Sequence, residues 1–238
     1  MSLALAHKRR VLAEGPVAAA RAGAAAEVYS SATALSSPAN AKKHLKLMED
    51  ALAQDLARLG AMDNHGLRQL LKRDELLPKY LDYVQRYRDS GLSFPNSVVM
   101  QVLVWLFDTE QFEAGLDLAG FAMEQGQAMP ERFKRNVQTF VADAVLEWAE
   151  AEQKAGRSPE PYLSDLLPRV DDEWKLTEQI PAKYHKLIGI RALDAREWTK
   201  AITHFERATE LNPAVGVGTR LEGARKALAK ELAEKAAE

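Results

Sequence analysis

Apolar residues in this chain recur at intervals of three and four, and nowhere do they sustain an alternation of period two. Runs of β-branched residues are absent, while Ala, Leu, Glu, Lys and Arg dominate. That pattern predicts an all-α fold. Breaks are expected at Gly15-Pro16, Tyr29–Ala39, Gly91–Pro95, Gly126–Pro130 and Gly156–Pro161, then around Pro181 and Pro213. Gly just past one helix and Pro just inside the next is the ordinary asymmetry of helix ends.

Composition narrows the class. The 238 residues are 47% hydrophobic and 28% charged, which argues against wholesale disorder. There is no cysteine, which excludes disulfides, thiolate zinc sites and a cysteine nucleophile. The longest apolar run, Val98–Phe107, is interrupted by Gln101 and is about half of a bilayer span. Met1–Ala6 is too short, and lacks the charged leader, for a secretion signal. A soluble cytosolic protein with no membrane partner is expected.

Charge is unevenly spread beneath a formal total of −2. Residues 1–47 hold seven Lys/Arg and two Glu, residues 91–130 hold five acids and no Lys or Arg, and residues 181–238 hold eleven bases against eight acids. Such asymmetry fits a protein that touches a polyanion at one end and protein at the other. Ordinary variation along solvated helices produces the same numbers.

Four regions follow. Residues 1–39 are Ala-rich, with room for short helices near 3–14 and 17–28, and read as a mobile basic arm and linker. Residues 40–92 read as a helical oligomerisation or DNA-proximal region. Just before it Ser37-Pro38 looks like an N-cap followed by a first-turn proline, and within it Leu45, Met48, Leu52, Leu56 and Leu59 form one apolar stripe. The stripe serves either self-association or packing within the chain. Residues 93–157 read as a helical hairpin core, and 158–238 as a second hairpin with a capping helix.

The two hairpins echo each other. Helices at Val98–Phe107 and Gln111–Gln125, joined at Asp108-Thr109-Glu110, are followed 86 residues later by a similar pair. Asp194, Trp198, Ala201, Ile202 and Ala208 stand where Asp108, Phe112, Gly115, Leu116 and Ala122 stand. The later hairpin resembles a tetratricopeptide repeat through Gly189, Ala201, Phe205, Ala208 and Pro213, although His185 and Ala192 occupy its signature aromatic positions. Small residues would admit close helix contact, and the last helix would cap the exposed face.

No Gly-rich phosphate loop occurs, so a motor ATPase is not expected in this chain. Metal-dependent nucleases need carboxylates converging on divalent ions. Three clusters qualify by spacing: Asp143/Glu147/Glu150 on one helical face, Asp171/Asp172/Glu173, and Asp74/Glu75 beside Lys72 and Arg73. A solvated helix face, a helix-dipole partner and a surface ion pair are the readings that account best for them. The five histidines form no metal-ligand spacing. His7 adjoins Lys8, Arg9 and Arg10, and Lys42, Lys43, His44 and Lys46 crowd a helix start where cations oppose the macrodipole. These clusters point to an anionic partner. His7, Lys8, Arg9, Arg10, Arg21, Lys42, Lys43 and Lys46 are the candidate DNA-binding residues.

From about residue 72 to 212 the chain resembles the small-terminase family of Peduovirus-type temperate tailed phages, usually labelled the terminase endonuclease subunit. The matching words are Glu75-Leu76-Leu77-Pro78, Val99-Met100 through Trp105 to Asp108-Thr109, Ala114 to Ala122, Met129-Pro130 and Lys134-Arg135. They continue with Ala182-Lys183, His185-Lys186, Gly189, Ala201, His204, Arg207-Ala208-Thr209 and Leu211. Residues 1–71 match poorly beyond His7–Arg10. The resemblance implies viral DNA packaging in the host bacterial cytoplasm. It further implies recognition of the packaging (cohesive-end) site on double-stranded phage DNA, partnership with a large ATPase subunit, and a homo-oligomeric ring. The family label implies an endonuclease that would need Mg²⁺ or Mn²⁺, whereas a packaging adaptor needs no cofactor. A helical-repeat scaffold that binds only protein is the third reading.

Overall fold

The computed structural model describes residues 34, 35 and 37–237, and these residues form helices without any strand. The suggested helices near 3–14 and 17–28 lie outside the described residues.

Helix α1 spans Pro38–Gly60. The Ser37 hydroxyl accepts the Asn40 N–H and Pro38 opens the first turn, so the helix starts where its capping chemistry says it should. Its apolar stripe turns inward: Leu52 and Leu59 are buried, and Leu45, Met48 and Leu56 pack against the same core. The stripe therefore serves packing within the chain. Polar ties fix the helix in place. Asp55 accepts from Lys79 Nζ and from the Tyr80 hydroxyl, each at 2.6 Å, and Glu49 accepts from Ser97 Oγ at 2.7 Å.

A break at Ala61–Asn64, not foreseen in the sequence, ends α1. Asn64 then caps α2 (His65–Leu71) by accepting the Leu67 N–H at 3.0 Å. Helix α2 runs through a π-helical turn, Lys72–Leu76, into α3 (Leu77–Asp89). Pro78 supplies the reason. It has no N–H for the carbonyl four residues back and its ring crowds that carbonyl, a conflict eased by widening the preceding turn.

Helices α4 (Ser97–Asp108) and α5 (Phe112–Glu124) form the first hairpin. All ten residues from Val98 to Phe107 are buried, so α4 is the central helix of the main core. Helix α6 (Val137–Lys154) and α7 (Tyr162–Pro168) follow, and a second π-helical turn, Arg169–Glu173, leads toward α8 (Gln179–Asp194). Helix α8 pairs with α9 (Trp198–Leu211), and α10 (Gly218–Ala237) packs on α9. Ala182, Ala192, Ala201, Phe205, Ala208, Val215, Val217 and Ala224 make a second, smaller apolar cluster there.

The sequence echo is also a structural one. Glu110 and Arg196, 86 residues apart, both adopt φ of 59°. The Gln111 N–H reaches the Leu106 carbonyl and the Glu197 N–H reaches the Ala192 carbonyl, both at 2.8 Å. One turn geometry is used twice. The seams differ: in the first hairpin Phe107 of the leading helix lies against Gly115 of the trailing one, whereas in the second Phe205 of the trailing helix lies against Gly189 of the leading one.

Candidate functional site

Of the candidate DNA-binding residues, His7, Lys8, Arg9, Arg10 and Arg21 lie outside the described residues. Lys42, Lys43 and Lys46 are exposed on the first turns of α1. Lys46 also pairs with Asp50 at 2.8 Å, one turn on. Their neighbour His44 does not join them. It is buried against the Tyr83 ring, centroids 5.3 Å apart, and burial lowers its pKa, so at neutral pH it carries no charge.

A second basic segment connects α5 to α6. Arg132, Lys134 and Arg135 are exposed around Phe133, and Asn136 caps α6 by accepting the Thr139 N–H at 2.9 Å. Lys134, Arg135, Asn136, Val137 and Gln138 line one side of an open cavity of 430 Å³. Arg132 stacks on Phe133, 4.7 Å from the ring centroid, and donates to Gln101 Oε1 at 2.7 Å. Gln101 is the lone polar residue inside the apolar run of α4 and is 2% exposed.

Each carboxylate cluster has at least one member drawn into an ion pair. Asp143 accepts from Arg135 at 2.5 Å, Asp74 from Arg73 at 2.7 Å, and Glu75 from both terminal nitrogens of Arg58. Asp171 sits in the second π-helical turn, held by Arg207 at 3.1 and 3.3 Å and by His185 Nε2 at 3.2 Å. Burial alone would raise the Asp171 carboxyl, but the hydrogen bonds from Arg207 and the adjacent His185 ring hold it below its ordinary value. Among the described residues, no group of three or more His, Asp or Glu side chains is placed to hold a metal ion.

Two histidines that look scattered in sequence meet in space. His185 Nδ1 and His204 Nδ1 are 2.8 Å apart, bridging α8 and α9. Burial lowers both pKa values, that of His204 to about 4. Asp171, His185, His204 and Arg207 thus form a chain of polar contacts fastening the second π-helical turn to the second hairpin. Spacing could not reveal it, because a separation of 19 residues has no helical meaning until the hairpin is folded. The Arg132–Gln101 pair was signalled only by an amide interrupting an apolar run.

Residues 49–179 match a family model described as phage small terminase subunit. The chain is 33% identical over 209 residues to a protein named "Probable terminase, endonuclease subunit" from Haemophilus phage HP1, an alignment covering 82% of this chain and 74% of that protein. It is 28% identical over 171 residues to the "Terminase, endonuclease subunit" of Escherichia phage P2, covering 72% and 69% respectively. No solved structure matches.

Proposed function

The chain belongs to the phage small terminase subunit family, and from that premise we propose that it binds the packaging (cohesive-end) site of a phage genome and recruits and regulates a separate large ATPase subunit. The observation that carries this reading is the family match from the second half of α1 to the first residue of α8, residues 49–179, extended by a relative aligned over most of both chains. The basic residues Lys42, Lys43 and Lys46 stand exposed on α1, on the same side of the sequence as His7–Arg10 and Arg21. The protein works as a homo-oligomeric ring in the cytoplasm of the bacterial host, without a cofactor of its own. No helix among the described residues is long and apolar enough to cross a membrane.

A second reading is favoured by the names of both relatives: this chain is itself a Mg²⁺- or Mn²⁺-dependent endonuclease that cuts concatemeric phage DNA. The pairing of Asp143 and Asp171 with arginines supports the first reading, because a metal would have to displace an existing cation.

Electrophoretic shift with packaging-site DNA at graded salt tests the proposal. Neutralising Lys8, Arg9 and Arg10 together should weaken binding and flatten the salt dependence by about three units of slope if each meets a phosphate. An unchanged slope removes that segment from the interface. Failure of the wild-type protein to shift DNA at low salt overturns the DNA-binding reading altogether. Solution mass separates a ring from a monomer.

A further inference from the structure

Most arginines with a defined partner here are neutralised by a carboxylate: Arg58 by Glu75, Arg88 by Asp117, Arg135 by Asp143, Arg191 by Glu160, Arg207 by Asp171. Arg132 is built differently. Its guanidinium donates to the neutral amide oxygen of Gln101 and rests on the Phe133 ring. Although the residue as a whole is exposed, partial burial of its guanidinium lowers its pKa, opposed by Asp108, whose carboxylate is already bonded to Lys72 at 2.7 Å. A neutral acceptor orients a guanidinium as well as a carboxylate does, yet leaves its positive field available to an outside anion.

The acceptor itself is placed at a penalty. Gln101 is 2% exposed in the middle of an otherwise apolar helix, and its Nε2 has no hydrogen-bond acceptor. A leucine would pack there without leaving a donor unsatisfied. Two residues along from Arg132, Lys134 lines the cavity ahead of α6 beside Val137 and Gln138, whose first-turn N–H groups have no acceptor within the helix.

We propose that the Arg132–Arg135 segment is a contact site for backbone phosphates of double-stranded DNA, with Arg132 and Lys134 meeting phosphate and Gln101 positioning Arg132. The proposal rests on the DNA-binding reading above and adds to it a site in the folded body, remote in sequence from His7–Arg10 and Lys42–Lys46. Arg135 is already committed to Asp143 and plays the smaller part.

The experiment compares the full-length chain with Arg132→Gln/Lys134→Gln, Gln101→Leu and Gln101→Glu, measuring the Kd for packaging-site duplex between low and moderate salt. The double variant should bind about tenfold more weakly with a salt slope shallower by about two. Gln101→Leu should melt no lower than wild type, since it removes an unsatisfied amide, yet bind DNA a few-fold more weakly. Gln101→Glu should weaken binding further, because it gives Arg132 the carboxylate it lacks. Wild-type shift with an unchanged double variant overturns this site and leaves the DNA-binding reading standing. No wild-type shift overturns both. A Gln101→Glu chain that binds as wild type removes Gln101 from the positioning role.

Discussion

The ring of Phe205 lies so close over Gly189 that a Cβ added to that glycine would sit 2.6 Å from its Cε1. Phe205 is fully buried between α8 and α9 and has no open side to move toward. Gly189→Ala should therefore destabilise the protein by about 1–3 kcal/mol through overpacking. Gly115→Ala, where the Phe107 ring stands off at 3.0 Å, should be milder. Urea unfolding of the two variants should rank them in that order, and an inverted ranking would contradict the packing described.

Trp105 is 1% exposed at the centre of α4, with its ring 5.7 Å from that of Tyr80. Removing the ring leaves a cavity that the surrounding helices close only in part. Trp105→Ala should lose about 3–5 kcal/mol of stability. A thermal midpoint equal to wild type would be incompatible with its burial.

Acid should loosen the second hairpin before it reaches the carboxylates. His185 and His204 face one another at 2.8 Å, so the space between them holds one proton and not two. Asp171 and Asp172 favour charging of His185, Arg207 opposes it, and Lys200 opposes charging of His204. The folded-state pKa values are depressed, for His204 from 6.5 to about 4, so below pH 6.5 the unfolded chain binds more protons. The contribution is complete above that pH and is lost as pH falls toward 4, by roughly 1–3 kcal/mol. Asp171, itself depressed, releases its own contribution only in more acidic solution. Urea midpoints at pH 7.5 and 5 should fall further apart for wild type than for His204→Asn.

Carboxylate substitutions should separate structure from catalysis. Asp171→Ala leaves Arg207 without its acceptor and His185 without the carboxylate beside it, and should destabilise by roughly 1–3 kcal/mol, less than a fully buried pair would lose. Glu147 and Glu150 are exposed on α6, and Glu147→Gln/Glu150→Gln should leave the melting temperature within a few degrees. Purified wild-type protein with Mg²⁺ should produce no site-specific cutting. A cutting activity lost in the Glu147/Glu150 variant, with DNA affinity intact, would establish the endonuclease reading instead.

Local chemistry made the helices legible. Ser37-Pro38 announces α1, and the turn at Asp108–Glu110 announces the first hairpin, because caps, prolines and three-four spacing act within a few residues. Asn64 was open to the same reading, as an Asn ahead of an apolar stretch. The π-helical turns were harder, since Pro78 exerts its effect on residues before it. Least legible were the contacts that join distant segments. Gln101 with Arg132, and His185 with His204, depend on which helix faces come together, and one sequence does not encode that at any fixed spacing. Those contacts hold most of the candidate site's chemistry, which is why the candidate DNA-binding residues chosen from sequence are clusters of neighbours.

The exchanged seams carry a consequence for folding. Two hairpins with the same turn could trade helices, between themselves or with those of a second copy of the chain. Pairing α4 with α9 would set Leu103, the counterpart of Gly189, against the Phe205 ring. Pairing α8 with α5 would set Gly189 against Ala119, the counterpart of Phe205, and leave a hole. One mismatch collides and the other gapes, so each helix recognises its proper mate by volume alone. The repeat is thereby addressed, and every hairpin keeps the two helices that the chain gave it.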